Sequence, residues 1–196
     1  QVASLFSPVE LTQTPAPLFI GERANATGSK KFRDALLDDD YETAFHILSE
    51  QEETGAHVLD LSCGYAGRDE RADIAVLVPR MAHECRAPMM IDSTSPAAIE
   101  DALKLYGGRA MINSINFEDG GERAEAVVAL ARRYGAALVA LTIDENGMAL
   151  TADEKFAIAK RIVEFCTARG LNAGDLLIDP LTFTVCSGDA SLRDAA

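Results

Sequence analysis

Short, continuously apolar segments recur along the chain, and each is followed by a longer segment with a different pattern. A continuous apolar run, in contrast to an alternating one, is typical of a parallel strand that is buried on both faces. We therefore predict six buried strands, at residues 18–21, 58–62, 89–92, 110–113, 137–143 and 176–179.

The segments between these runs place apolar residues at helical spacing and carry helix start and stop signals. Ser95 is suited to cap a helix that starts at the following proline, and Thr151 with Glu154 matches a capping box. Gly135 is suited to end a helix, whereas Pro79 should kink or split one. The predicted helices lie within residues 41–56, 69–85, 95–108, 121–136 and 151–170.

Six consecutive strand and helix units are compatible with either a doubly wound open sheet or a barrel. No G-x-G-x-x-G follows the first strand, which weakens the dinucleotide-binding alternative. Polar residues stand at the carboxyl ends of the strands, where barrel enzymes place their chemistry. We therefore predict an α/β fold of the (β/α)8 TIM-barrel type, with about six of the eight units present in this chain.

The domain organisation follows from the same pattern. Residues 1–17 contain three prolines and no clear period, which predicts a linker or extended arm. Residues 18–196 are expected to form one barrel domain that is incomplete at its C-terminal side, with a further helix beginning within residues 188–196.

Composition excludes several classes of protein. The 196 residues include 31 acidic and 18 basic side chains, a formal net charge of -13, which argues against nucleic-acid and anionic-membrane partners. No apolar run reaches the ~20 residues that a membrane-spanning helix needs. The four cysteines form no C-x-x-C pair, which disfavours a zinc site and fits a reducing cytoplasm.

The polar residues at the strand ends are the candidates for chemistry. Asp92, Asn113 and Asp179 end three of the predicted strands, and the ends of parallel strands meet at one edge of a sheet. Asp60 lies within the second strand, where either a site role or a role in orienting nearby groups is compatible with the sequence.

Several motifs together resemble the pterin-binding methyltransferase family. Within that family the resemblance is to the methyltetrahydrofolate-binding domains of cobalamin-dependent methionine synthases, and it covers residues 18–189. The motifs, in chain order, are "IGERANATGSKKF", "VLDLSCGYAGRDE", "MMIDST", "MINSIN", "YGAALVALTIDENGMA" and "LLIDPLTF".

The resemblance implies a role for each matching residue. Glu22, Asn25, Asp92, Asn113 and Asp179 would hold the pterin ring, and the last three would also be the catalytic residues. A carboxylate suits this role because it can accept two neighbouring donors of a pterin edge, and an amide can serve a mixed edge.

The resemblance also implies a reaction and its partners. Methyltetrahydrofolate would be the substrate, and its N5 methyl group would pass to a cobalamin supplied by another domain or protein. No metal would be bound by this domain, and a homocysteine-binding domain is expected upstream. Three alternatives stay open: a free-standing methyltransferase acting on a corrinoid protein, a dihydropteroate synthase, and a fragment that does not bind folate.

Overall fold

Six parallel strands form a single sheet in chain order. The structure, a computed structural model, describes residues 1–182. The strands pair strictly with their sequence neighbours, from the first to the sixth, whereas a doubly wound sheet reverses its order at a switch point. This order confirms the barrel-type α/β fold. The strands are β1 (Ile20–Asn25), β2 (Val58–Ser62), β3 (Met89–Asp92), β4 (Met111–Ile115), β5 (Ala137–Leu141) and β6 (Leu176–Asp179).

Helices connect the strands and cover the outside of the sheet. They are α1 (Lys30–Leu37), α2 (Tyr41–Glu53), α3 (Glu70–Glu84), α4 (Pro96–Leu105), α5 (Glu122–Tyr134) and α6 (Ala152–Ala168). A 3-10 turn at Ala173–Asp175 precedes β6, and a two-stranded hairpin of Ile143–Asp144 and Gly147–Met148 follows β5. The helix expected within residues 188–196 lies outside the described residues, as does Cys186.

The predicted helix ends are confirmed, and two features differ from the prediction. The Thr151 hydroxyl and the Glu154 carboxylate form the capping box of α6, and Gly135 ends α5 with a φ of 69°. α3 runs through Pro79 without being split, because its buried face holds it against the sheet. α1 was not predicted, since its eight residues are too few to establish a helical period.

The strands present two different faces. One face packs against the helices and includes Leu59, Ile91 and Ile112 in the main core. The other face points into the barrel, because successive side chains along a strand alternate in direction. Its apolar layer consists of Val58, Met90, Met111 and Ala137, together with Val2 from the N-terminal arm.

Residues 1–17 cover the N-terminal end of the barrel. The strands Val2–Ala3 and Pro8–Val9 form a hairpin, and the Val2 side chain is fully buried in the inner apolar layer. Ala3 and Arg109 exchange two backbone hydrogen bonds, at 3.0 and 2.7 Å. A Cβ at Gly108 would lie 2.1 Å from the Ala3 carbonyl oxygen, so the close approach of the arm depends on this glycine.

A buried polar network ties the loop between β2 and α3 to the corner between α1 and α2. Arg68 pairs with both oxygens of Asp73, at 2.7 Å each, and the Tyr41 hydroxyl donates to the same carboxylate at 2.8 Å. Arg68 also contacts Asp39 at 2.8 Å. The Asp73 side chain is 1% exposed, so its charge depends on these partners.

Removing the buried carboxylate should therefore be costly. Asp73→Ala is expected to lower the free energy of unfolding by about 3–5 kcal/mol, because Arg68 would keep a poorly solvated charge without its main partner. Urea denaturation measures this change. Asp101→Ala breaks the more exposed pair with Arg71 and should lower the free energy of unfolding by less than about 1 kcal/mol. If both variants lost the same free energy of unfolding, the buried network would not contribute more than an exposed ion pair.

Candidate functional site

A layer of polar side chains lies directly above the inner apolar layer, at the carboxyl ends of the strands. On four strands a polar residue stands two positions beyond an inward-facing apolar one. Because side chains alternate along a strand, each such pair shares one face. The pairs are Val58 and Asp60, Met90 and Asp92, Met111 and Asn113, and Leu177 and Asp179.

Asp60 is the most deeply buried member of this layer. Its residue exposure is 1%, and its Oδ1 atom has no hydrogen-bond partner among residues 1–182. Burial, reinforced by the charges of Asp92 and Glu22, raises the pKa of Asp60 to about 8, against a hydrogen bond from the Asn113 side chain that lowers it. The carboxyl group is therefore protonated near neutral pH and has an unused polar atom.

Asp92 is half-buried and stands on β3, the strand next to that of Asp60. Burial raises the pKa of Asp92 above its usual value, and the charge of Glu22 adds to this, whereas a hydrogen bond from Ser62 lowers it. Asp92 and Asn113 are direct partners in the pairing of β3 with β4. The structure thus brings four residues together: Asp60, Asp92, Asn113 and Glu22.

Asn25 and Asp179 lie at the same end of the sheet, but each already makes local contacts. The Asn25 Oδ1 accepts hydrogen bonds from the backbone of Thr27 and Gly28, both at 2.9 Å, and so orders the loop after β1. The Asp179 Oδ1 accepts one from the Leu181 backbone at 2.8 Å. β5 separates β6 from β4, so Asp179 is two strands away from Asn113.

An open cleft of about 570 Å³ begins at Asp92 and lies between the loops that follow the first three strands. Ser93 and Glu70 stand on its walls, and Tyr65 forms part of the loop that follows β2. Burial raises the pKa of Glu70, although a hydrogen bond from Ser93 opposes this. The cleft is thus lined by two carboxyl groups, those of Asp92 and Glu70, which suit a ligand with several N–H donors.

The sequence left two contributors without a role. The sequence left open whether Asp60 has a site role. Like Asp92 and Asn113, however, it stands two positions after an inward-facing apolar residue, and this spacing indicates that its side chain faces the same layer. Glu70 was not a candidate, because it is the first residue of α3 and its hydrogen bond with Ser93, after β3, exists only in the folded chain.

Residues 1–182 contain no group of three or more His, Cys, Asp or Glu side chains placed to hold a metal ion. No helix within the same residues has the length and apolar character needed to cross a membrane.

Solved structures with a similar fold bind or synthesise pterins. Dihydropteroate synthase of Xanthomonas albilineans, solved with 4-aminobenzoic acid, superposes with a TM-score of 0.65 at 19% identity, covering 88% of this chain and 61% of that one. The enzyme of Burkholderia cenocepacia gives a TM-score of 0.61 at 20% identity, covering 85% and 57%. At this level of identity, the similarity establishes the fold.

Two relatives in sequence are methionine synthases. The methionine synthases of Mycobacterium tuberculosis and Mycobacterium leprae are 43% and 41% identical over 98% of this chain. The chain spans 16% of the length of each of these relatives.

The profile of one protein family, described as "Pterin binding enzyme", matches residues 21–193. This match covers β1 to β6 and includes every residue of the polar layer. The chain therefore belongs to the pterin-binding enzyme family.

Proposed function

We propose that this chain is the methyltetrahydrofolate-binding domain of a methionine synthase and that it presents the N5 methyl group for transfer to cob(I)alamin. The observation that carries the proposal is the buried, unsatisfied Oδ1 of Asp60 within a polar layer, in a chain 43% identical to a methionine synthase. An unsatisfied buried polar atom requires an explanation, and a bound pterin ring with its N–H donors provides one.

The pterin ring is held by groups with complementary hydrogen-bonding capacity. Asp92 and Asp179 accept from ring N–H and exocyclic amino donors, which a carboxylate can do in pairs. Asn113 has both an acceptor and two donors and serves a mixed edge. Asp60, being protonated near neutral pH, can donate one hydrogen bond and accept another, while Glu22 and Asn25 complete the rim.

The transfer breaks the bond between N5 and the methyl carbon, and the bonding electron pair stays on N5. An anionic nitrogen is a poor leaving group, so N5 must gain a proton or a strong hydrogen bond as the bond breaks. Asn113, through its amide N–H groups, and Asp60, which keeps its proton near neutral pH, are the groups of the polar layer that can donate to N5. Cobalamin, when supplied by another domain or protein, provides the cobalt(I) nucleophile that accepts the methyl group.

A product assay separates this proposal from its alternatives. The protein is mixed with 5-methyltetrahydrofolate and cob(I)alamin, and formation of tetrahydrofolate is followed by chromatography. We expect tetrahydrofolate to form, and no dihydropteroate when p-aminobenzoate and dihydropterin pyrophosphate are offered instead. Dihydropteroate in the second assay would favour the synthase, and failure to bind folate at all would favour a non-binding fragment.

The role of Asp179 is tested by calorimetry. Asp179→Ala is expected to weaken methyltetrahydrofolate binding by about 1.5–3 kcal/mol, the range for hydrogen bonds to a charged group. His83→Ala, an exposed position near the end of α3, should leave the affinity unchanged. An unchanged affinity for Asp179→Ala would show that this carboxylate only holds the turn that contains Leu181.

The buried Asp60 predicts an unusual pH dependence of stability. Its pKa rises from the ordinary value of 3.8 to about 8 in the folded protein, so the folded state keeps a proton that the unfolded state loses. The free energy of unfolding should therefore fall as pH rises through this window, and Asp60→Asn should remove this fall. Between about pH 5 and pH 8 the free energy of unfolding of the variant should rise by up to about 4 kcal/mol relative to that of the wild type.

Urea denaturation at several pH values measures this difference. Asp38→Asn, at an exposed position just after α1, is the matched control and should show no comparable trend. A parallel pH profile for the wild type and Asp60→Asn would mean that Asp60 is ionised in the folded protein.

A further inference from the structure

The cleft beside Asp92 is lined by groups of different character. Its lining includes the carboxyl groups of Asp92 and Glu70 and the aromatic side chain of Tyr65, from the loop after β2. A ligand that fills this cleft therefore meets both carboxyl groups and an aromatic ring.

An arginine stands behind the aromatic side chain. The Arg33 guanidinium lies 5.6 Å from the centre of the Tyr65 ring, within the range of a cation–π contact. Arg33 is half-buried, and within residues 1–182 no carboxylate lies within ion-pair distance of it.

The second arginine near this loop is not available to a ligand. Arg68 is committed to Asp73 and Asp39. This pairing has a structural effect, because the Arg68 backbone N–H also donates to the Tyr65 carbonyl at 3.1 Å, and Gly67 completes the turn with a φ of 82°. The network thus fixes the turn that carries Tyr65 and leaves Arg33 as the unpaired cation beside it.

We propose that Tyr65 and Arg33 form a subsite for the aminobenzoyl-glutamate tail of the folate. This inference rests on the function proposed above. Each part of a folate has a counterpart here: the pterin donors meet the carboxyl groups of Asp92 and Glu70, the benzoyl ring stacks on Tyr65, and the glutamate carboxylates pair with Arg33 next to that ring. Aromatic stacking and a charge-assisted hydrogen bond are the interactions expected at these two positions.

The net charge gives this subsite a specific importance. A protein with a charge of -13 repels a ligand that carries two tail carboxylates, and the carboxyl groups of Asp92 and Glu70 in the cleft add to this repulsion. A local cation offsets the effect. Lys31 stands exposed at the start of α1, less than one turn from Arg33, and adds a second positive charge on this helix.

The experiment compares two ligands that differ only beyond the pterin ring. Affinities for 5-methyltetrahydrofolate and for 6-methyltetrahydropterin, which lacks the tail, are measured by calorimetry with the wild type, Arg33→Gln, Tyr65→Ala and Tyr65→Phe. Arg132→Gln is the matched control, since Arg132 is an exposed arginine on α5, far along the chain from this cleft.

We expect Arg33→Gln to weaken folate binding by about fivefold, the upper range for a partly exposed ion pair, and to leave pterin binding within about twofold. Its folate affinity should also depend less on salt, because one charge pair is lost. Tyr65→Ala should weaken folate binding more than pterin binding. Tyr65→Phe should keep the folate affinity of the wild type, because its aromatic ring can still stack on the benzoyl ring. Arg132→Gln should behave as the wild type for both ligands.

The contrary outcomes separate the two proposals. If the wild type binds folate and pterin equally well, or if Arg33→Gln weakens both equally, the tail subsite is wrong and the proposed function stands. If the wild type binds neither ligand, the proposed function fails, and the inference that rests on it fails as well.

Discussion

Desolvation of the Asp60 carboxyl group is the constraint around which the inner part of this barrel is organised. A carboxyl group that is 1% exposed cannot hold its charge without several donors, and among residues 1–182 the Asn113 side chain is the one that acts as a donor. The neighbouring carboxylates of Asp92 and Glu22 make ionisation less favourable still. The group is therefore kept neutral, and its Oδ1 atom has no partner within the described part of the chain.

The rest of the structure holds this unfavourable arrangement in place. Below the polar layer, the apolar side chains of Val58, Met90 and Met111 pack with Val2 of the arm and exclude water from that end. Around it, the buried Arg68 and Asp73 pair fixes the loop after β2. Stability comes from these surroundings, while the carboxyl cluster itself opposes folding as pH rises. Such a division is expected where a site is preorganised for a ligand.

The same fold is shared by enzymes that use pterins for different reactions. Dihydropteroate synthases resemble this chain in fold at 16–20% identity in several solved examples, and methionine synthases resemble it in sequence at over 40% identity. A polar layer at the carboxyl ends of the strands serves any ligand with a row of N–H donors. What happens to the ligand beyond its ring depends on the loops, and the loop carrying Tyr65 is held by contacts specific to Arg68, Asp73 and Tyr41.

The sequence by itself determined the architecture. Continuous apolar runs, helix caps at Ser95 and Thr151, and the stop at Gly135 are local signals, because each depends on residues within one turn or one strand. The sequence also predicted that Asp92, Asn113 and Asp179 lie at the same edge of the sheet, because the carboxyl ends of parallel strands meet at one edge. α1 was missed because eight residues carry too short a period.

The tertiary structure alone decided which polar residues share an environment. The burial of Asp60 and its raised pKa depend on Asp92 and Glu22, which come from other strands. The orientation of Glu70 toward the cleft depends on how α3 packs, and the local engagement of Asn25 and Asp179 depends on the turns that follow them. These properties arise from contacts between segments distant in sequence, and no local pattern encodes the distances or the solvent exclusion that produce them.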